Sequence, residues 1–481
     1  MRAWLALCGL LLAGCASPQA PAPMSLDEAR RVALRIETSG AANQDASNRQ
    51  VAPIGLAQVS DAARRQAEAE PPADAGAAAL AGFLRQRGNA RLLLGRSQEA
   101  LADLKRAREH ALESRRSAFG YSDLRMAQLL YDLYLAQWLN GPLDQAIVWI
   151  EECLSYVSRE DWNNTIGWGV DLVTRLADVG DADGAARALV PIERALQIGE
   201  SRAARGALAA ASMDELNLRR GHAAIARRAA ASARGDYDGA IAHGRQALAH
   251  FAARQVSPHD RRYYEHTSTL AMVMARAGRL AEAEAEARAA LAGLQGLRDV
   301  VARAIPESAQ RLTRIVQAQG RLGEAEALGR ETVALWERIQ IRDRGLYTLA
   351  DVIAAQERWA EAIAFYRRNP STPRSARDQR AVAISAQDMV LALAMGGAGD
   401  EAVGQGRAMH RALAEAMGAD HPRAREAEAL LGLALLKAGE RAAGQAAIEA
   451  ALPRLLAQGA AREGEADTRS DQDRRLEIVL D

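Results

Sequence analysis

Residues Leu84 to Ala107 read LRQRGNARLLLGRSQEALADLKRA. Two apolar helical faces flank a break at Gly95-Arg96-Ser97. Small residues fall at Gly88, Gly95, Ala100 and Ala107, and larger apolar ones at Leu84, Leu92 and Leu104. The spacings are seven from Gly88 to Gly95, five to Ala100, four to Leu104 and three to Ala107. Gly95 follows the first helix, where a left-handed cap costs glycine little. Gly88 and Ala100 sit where the two helices cross too closely for a larger side chain. Leu104 and Ala107 share one face of the second helix, which is offered to the next unit. One such unit cannot bury its apolar face alone; a stack of them can.

The same grid recurs at Gly141/Ala146, Gly180/Ala185, Gly235/Ala240, Gly278/Ala283, Gly320/Ala325, Glu357/Ala362, Gly397/Ala402 and Gly439/Gly444. Successive spacings are 46, 39, 55, 43, 42, 37, 40 and 42 residues. The pattern resembles the tetratricopeptide repeat, a helix–turn–helix unit of about 34 residues. The connection Met417-Gly418-Ala419-Asp420-His421-Pro422 is similar to that of the kinesin-light-chain type. The resemblance implies an all-α, right-handed α-solenoid of about nine repeats that binds protein partners. The 55-residue spacing predicts an extended helix or a break around Ser201–Arg220. Two prolines in Asn369-Pro370-Ser371-Thr372-Pro373 predict a second interruption. Four segments follow: a leader over 1–14, a tether with irregular helices over 15–80, the solenoid over 81–458 and a tail over 459–481. Within the tether, helices are expected near 26–37 and 58–70, with a linker at 39–49.

Composition agrees with close helix packing: hydrophobic residues make up 49% and aromatics only 4%. Basic and acidic residues number 61 each, so charge points to no nucleic-acid partner. No catalytic or phosphate-binding motif is present, so neither an enzyme nor a cofactor is expected. His243 and His250 lie seven apart, but no carboxylate or Cys completes a ligand set at metal spacing, so no metal is expected. Cys153 occupies the grid position of Ala107 and reads as a small buried thiol.

The N-terminus, MRAWLALCGLLLAGC, has one early charge at Arg2 and an apolar run from Ala3 to Ala13, short for a membrane span. Leu12-Ala13-Gly14-Cys15 resembles the bacterial lipobox. The resemblance implies cleavage before Cys15, diacylglycerol on its thiol and a lipid-anchored protein of the bacterial cell envelope. Ala16 resembles the residue that sorts such proteins to an outer membrane, on its periplasmic side. Acyl methylenes contribute about 0.8 kcal/mol each, so two or more chains anchor firmly.

Arg85 and Asn89, four apart, resemble the first half of the carboxylate clamp of chaperone-binding tetratricopeptide domains. That clamp grips a peptide C-terminus through charge-assisted hydrogen bonds. The next repeats depart from it, with Asp132, Gly167 and Asp171 where Asn and basic residues are expected. Tyr131, Leu135 and Trp138 share one helical face, and together with Arg85, Asn89 and Leu92 form a candidate partner-binding groove. Tyr134 and Trp149 lie off that face and read as core. Arrays of this kind also precede caspase-like CHAT protease domains, and Arg474 to Leu480 resembles the linker before one. That resemblance implies an alternative role as the sensor half of a split or truncated protease. Replacing the lipobox cysteine, Cys15→Ser, is expected to abolish uptake of labelled fatty acid and normal processing; a variant lipidated like wild type contradicts the lipobox reading.

Overall fold

The computed structural model describes residues 54–479, apart from 56–57, 117–120, 141–142, 159, 207–209, 255–259, 298–299, 342–343, 369–375, 463–474 and 476–477. The leader, Cys15, the candidate helix at 26–37, the linker at 39–49, Gly141 and the segment 369–373 lie outside the described residues. A short helix α1 (Asp61–Glu68) comes first, inside the stretch where the second tether helix is expected.

Nine antiparallel pairs follow. They are α2 (Ala77–Leu93) with α3 (Ser97–Ser114), α4 (Asp123–Asn140) with α5 (Leu143–Ser155), and α6 (Trp162–Asp178) with α7 (Ala182–Ala204). Next come α8 (Ala210–Ala233) with α9 (Tyr237–Ala252), α10 (Arg261–Arg276) with α11 (Leu280–Gly296), and α12 (Ala304–Ala318) with α13 (Leu322–Arg338). The last three are α14 (Leu346–Ala355) with α15 (Trp359–Arg368), α16 (Ala376–Ile384) and α17 (Gln387–Met395) with α18 (Gly399–Met417), and α19 (Pro422–Lys437) with α20 (Arg441–Arg462). Each first helix packs on its own second helix, and each second helix packs on a first helix of the next repeat. This is the all-α tetratricopeptide-type solenoid that the grid implies.

The turns of the eight repeats whose turn is described share one geometry. Gly95, Gly180, Gly235, Gly278, Gly320, Gly397 and Gly439 all have φ between +71° and +90°. Beside them the same six-to-one bond closes each helix, as in Arg96 N–H to Arg91 O at 2.9 Å and Asp181 N–H to Leu176 O at 2.9 Å. Repeat seven has Glu357 at this position, and it too is left-handed, with φ +61°. The alanines five residues on, from Ala100 to Ala402, are fully buried. Gly88 confirms the tight crossing: a methyl there would lie 3.0 Å from Leu104 Cγ.

Two departures from regularity stand out. The 55-residue spacing is absorbed by long helices, α7 of 23 residues and α8 of 24, separated by a break. In repeat eight the first helix is split into α16 and α17, and Gln387 through Ala394 of α17 are buried on all sides. The grid alone predicts one helix there.

The solenoid also closes on itself. A methyl on Gly95 of repeat one would lie 2.6 Å from Ile339 Cβ, at the end of repeat six. One on Gly180 of repeat three would lie 2.1 Å from Ile384 Cδ1 of repeat eight. One on Gly235 of repeat four would lie 2.1 Å from His421 Nε2, the cap of repeat nine. The offset is five repeats each time, so successive superhelical turns touch. Ile54 adds a strap. It is buried, its N–H donates to Glu331 Oε1 (3.2 Å), and its carbonyl accepts from Arg338 (3.2 Å).

These contacts predict unequal glycine costs. Gly278→Ala meets nothing within 4 Å and should cost about 1 kcal/mol, for its backbone alone. Gly95→Ala should cost about 2–4 kcal/mol, since it also drives a methyl into Ile339. Glu357→Gly should gain about 1 kcal/mol by relieving a left-handed non-glycine residue. Hydrogen exchange across the three turns reads these costs, and equal losses at Gly95 and Gly278 contradict the closure.

Candidate functional site

The first helices of the repeats line the inside of the superhelix, and the predicted groove residues divide between that surface and the core. Arg85 and Asn89 do project inward, but their ligand is internal. Arg85 Nε donates to Asp132 Oδ2 at 2.6 Å, and Asn89 Nδ2 donates to the same oxygen at 2.9 Å. The Asp132 carboxylate therefore stands where a peptide carboxylate would bind. Burial raises its pKa, and Arg85 and Asn89 oppose that rise. At Gly167, where the clamp needs a basic residue, Arg219 of the next repeat fills the space; a methyl at 167 would lie 2.5 Å from its Nη1.

The expected aromatic groove is corrected in three places. Leu92 is a core residue, only 7% exposed, because it follows Leu84 and Gly88 at four-residue spacing on the face that meets α3. Tyr131 stacks on Trp168 with centroids 5.9 Å apart, and its hydroxyl donates to Asp171 Oδ2 at 2.7 Å. Trp138 is not an open anchor: the guanidinium of Arg175 lies 4.1 Å from its ring centroid and that of Arg303 lies 4.6 Å from it. Leu135 is half-buried against the same cluster. Tyr134 is core as expected. Trp149 is only half-buried, with Arg108 over its ring at 5.0 Å. Cys153 is buried, its thiol donates to Ala127 O at 3.1 Å, and burial pushes its pKa well up.

Arg303 belongs to repeat six and Trp138 to repeat two, so their contact crosses the interior. Other inner residues also interact across it. Asp178 of α6 acts on Arg228 of α8, Arg276 of α10 and Arg311 of α12. Arg276 in turn is repelled by Arg423 of α19 and Arg314 of α12. Inner helices from repeats two to nine thus face one shared lumen, in which charges from different repeats act on one another. Arg276 is open to water, yet burial among protein atoms still lowers its pKa.

Charge is segregated about this lumen. Inner helices α8, α10 and α12 carry nine arginines against four carboxylates, while their outer partners α9, α11 and α13 carry four against eight. Some inner charges are paired: Arg175 with Asp178 at 2.7 Å, Arg303 with Glu307 at 2.9 Å, and Arg261 with Glu265 at 3.2 Å. Arg228 is only 3% exposed, and its guanidinium makes a long 3.4 Å bond to the carbonyl of His266. Burial, with Arg311 adding to it, pushes its pKa down to about 10. His222 and His266 flank Phe251, and burial holds both well below the usual histidine range, so they are neutral.

At the far end the lumen changes sign and holds a piece of the chain itself. Arg475 donates to Glu426 Oε1 of α19 at 2.7 Å and to Asp388 Oδ1 of α17 at 3.2 Å. Val479 is buried in the same cluster as both helices. The stretch that resembles a protease linker therefore has residues packed on inner helices. The inner arginines and this docked segment escape a reading by local spacing. The one sequence signal for the arginines is their excess on alternate helices.

The lumen makes Trp138 a folding residue. Trp138→Ala should cost about 2–4 kcal/mol, from lost packing and two cation–π contacts. A double-mutant cycle with Arg303→Ala should show coupling of about 0.5–2 kcal/mol between repeats two and six. A melt of Trp138→Ala that matches wild type contradicts these contacts as a source of stability.

No protein-family profile matches the chain, and no curated protein matches it. Among solved structures it is similar to a Rap protein complexed with competence and sporulation factor. The identity there is 12% and the TM-score 0.47, over 79% of this chain and 99% of that one. It is also similar to the apo form of RapI, at 11% identity and TM-score 0.38 over 78% and 97% of the two chains. A third is the TPR domain of P58(IPK), at 14% identity and TM-score 0.21 over 83% and 97%. At these values the likeness is one of helical-repeat architecture and of nothing else.

Proposed function

We propose that this chain is a membrane-tethered, protein-binding scaffold that takes extended partner segments into the lumen of its solenoid. Lipid at Cys15 anchors it in a bacterial envelope, on the periplasmic side of an outer membrane. The observation that carries the binding reading is the docking of Arg475 and Val479 on the inner helices. Two ion pairs on Arg475 and one buried apolar side chain hold a chain segment there, which is how groove-binding domains hold peptides. Half-exposed polar and charged side chains along the rest of the lumen extend that surface, and the core of each repeat does not need them. The sensor-half alternative uses the lumen in the same way and differs only in what the captured segment controls.

The binding surface is therefore the inside of the superhelix rather than the face of α4 alone. Thr269 shares the inner face of α10 with Glu265 and Arg276 at helical spacing, whereas Arg288 lies on outer helix α11. A photo-crosslinking residue at Thr269 should capture a defined partner from envelope membranes, and one at Arg288 should not. Capture from Arg288 alone, or equally from both, contradicts the lumen as the binding surface.

A further inference from the structure

Four inner arginines have no counter-ion among the described residues. Among the described residues, no carboxylate lies within ion-pair distance of Arg228, Arg276, Arg344 or Arg423. They belong to four different repeats: Arg228 to α8, Arg276 to α10, Arg344 to the turn two residues before α14, and Arg423 to α19. Arg228 has only its long bond to a carbonyl. Arg344 lies over the Trp336 ring at 5.5 Å. Arg423 donates to the carbonyl of Ile384 at 3.0 Å. The nearby inner carboxylates are already engaged: Asp178 with Arg175, Glu307 with Arg303, and Asp351 with the Tyr366 hydroxyl at 2.7 Å. Arg228 is buried, Arg344 and Arg423 are half-buried, and Arg276 is open to water. A buried or half-buried cation without a partner is costly unless a ligand supplies the missing charge, and an exposed one stands free to receive it. The outer helices show the opposite condition, with Arg245, Arg288 and Arg330 each on a carboxylate.

We infer that the segment held in the lumen is an acidic stretch of a partner protein, whose carboxylates pair with Arg276, Arg344 and Arg423, while buried Arg228 behind them adds positive potential. The inference rests on the lumen being the binding surface. Arginines spread over four repeats fit a chain of carboxylates rather than one small anion. A single-stranded nucleic acid would need open aromatic faces for its bases to stack on. Here Trp138 already has two arginine guanidinium groups against its ring, and Tyr131 is already stacked on Trp168. The far end of the lumen applies the same rule with the signs exchanged, since there two inner carboxylates hold Arg475.

The test uses the full chain and a fluorescein-labelled peptide of about twelve residues alternating Glu and Ala, a length that an extended segment in a groove requires. Its Gln–Ala counterpart and an oligo-deoxythymidylate serve as comparisons. The Glu peptide should bind, weaken as salt rises, and lose affinity by about tenfold or more in the R276Q/R423Q variant. The variant relieves a repulsion and forfeits the Arg423 bond to the Ile384 carbonyl, so it should remain folded at the assay temperature. R276Q alone, which loses no hydrogen bond to a described residue, should melt no earlier than wild type and should also bind the Glu peptide more weakly. R245Q, which changes an outer charge, should bind the Glu peptide as wild type does. Equal binding of the Gln peptide, or no loss in R276Q/R423Q, overturns the inference. In that case capture from Thr269 still decides the scaffold reading by itself. Oligo-deoxythymidylate that binds as tightly as the Glu peptide and displaces it also overturns the inference, because the lumen is then a general polyanion channel.

Discussion

Everything in this molecule depends on the left-handed residue that ends the first helix in each described turn. It lets the chain reverse in three residues and places a buried alanine, or Gly444, five positions on, where the helices cross. Eight described turns share that conformation, seven on glycine and one on Glu357. Because the turn is the same each time, the rotation from one repeat to the next accumulates. After five repeats the chain meets itself, and the Gly95, Gly180 and Gly235 turns become contact points for Ile339, Ile384 and His421. A local backbone preference thereby becomes a long-range packing constraint. A solenoid in which each unit touches only its neighbours opens unit by unit. Here every contact at the five-repeat offset ties distant units together.

Closure also explains the charge pattern. A wide concave face lets its arginines stay solvated, and they then cost little. In a narrow lumen the inner side chains of many repeats share one space, so unlike charges pair and like charges repel across it. Asp178 acts on arginines from three other repeats, and Arg276 is set against Arg314 and Arg423. The net charge of zero hides this segregation. The acidic outer helices keep the chain neutral while its interior is basic.

The sequence and the structure agree wherever a property depends on residues within one repeat. The nine-unit register, the glycine turns, the buried Cys153 and Tyr134, and the irregularity near Ser201–Arg220 all come from local spacing. Even Glu357 is legible, since the register forces it into the glycine position. Asp132 was visible as a departure from the clamp, but its role as the internal ligand of Arg85 and Asn89 required knowing which way it points. Trp138 was misread because its cation partner, Arg303, comes from four repeats away. Leu92 was misread because neighbouring positions on α2 face in different directions, and the seam face follows Leu84 and Gly88. The split of α16 from α17 has no signal in the grid. The superhelical pitch is an accumulated angle, and no spacing within a repeat encodes it.

The central claim is that the superhelix closes with an offset of five repeats, and pulsed electron paramagnetic resonance tests it directly. Spin labels at Arg96→Cys and Gln340→Cys, with Cys8, Cys15 and Cys153 replaced by alanine, flank the contact of Gly95 with Ile339. A closed superhelix predicts a single short separation, within the combined reach of the two label arms. An open arc of ten or so helices spaced about 8–10 Å apart would place the labels on the order of 50 Å or more from each other, and a distribution centred there contradicts the closure and the lumen it encloses.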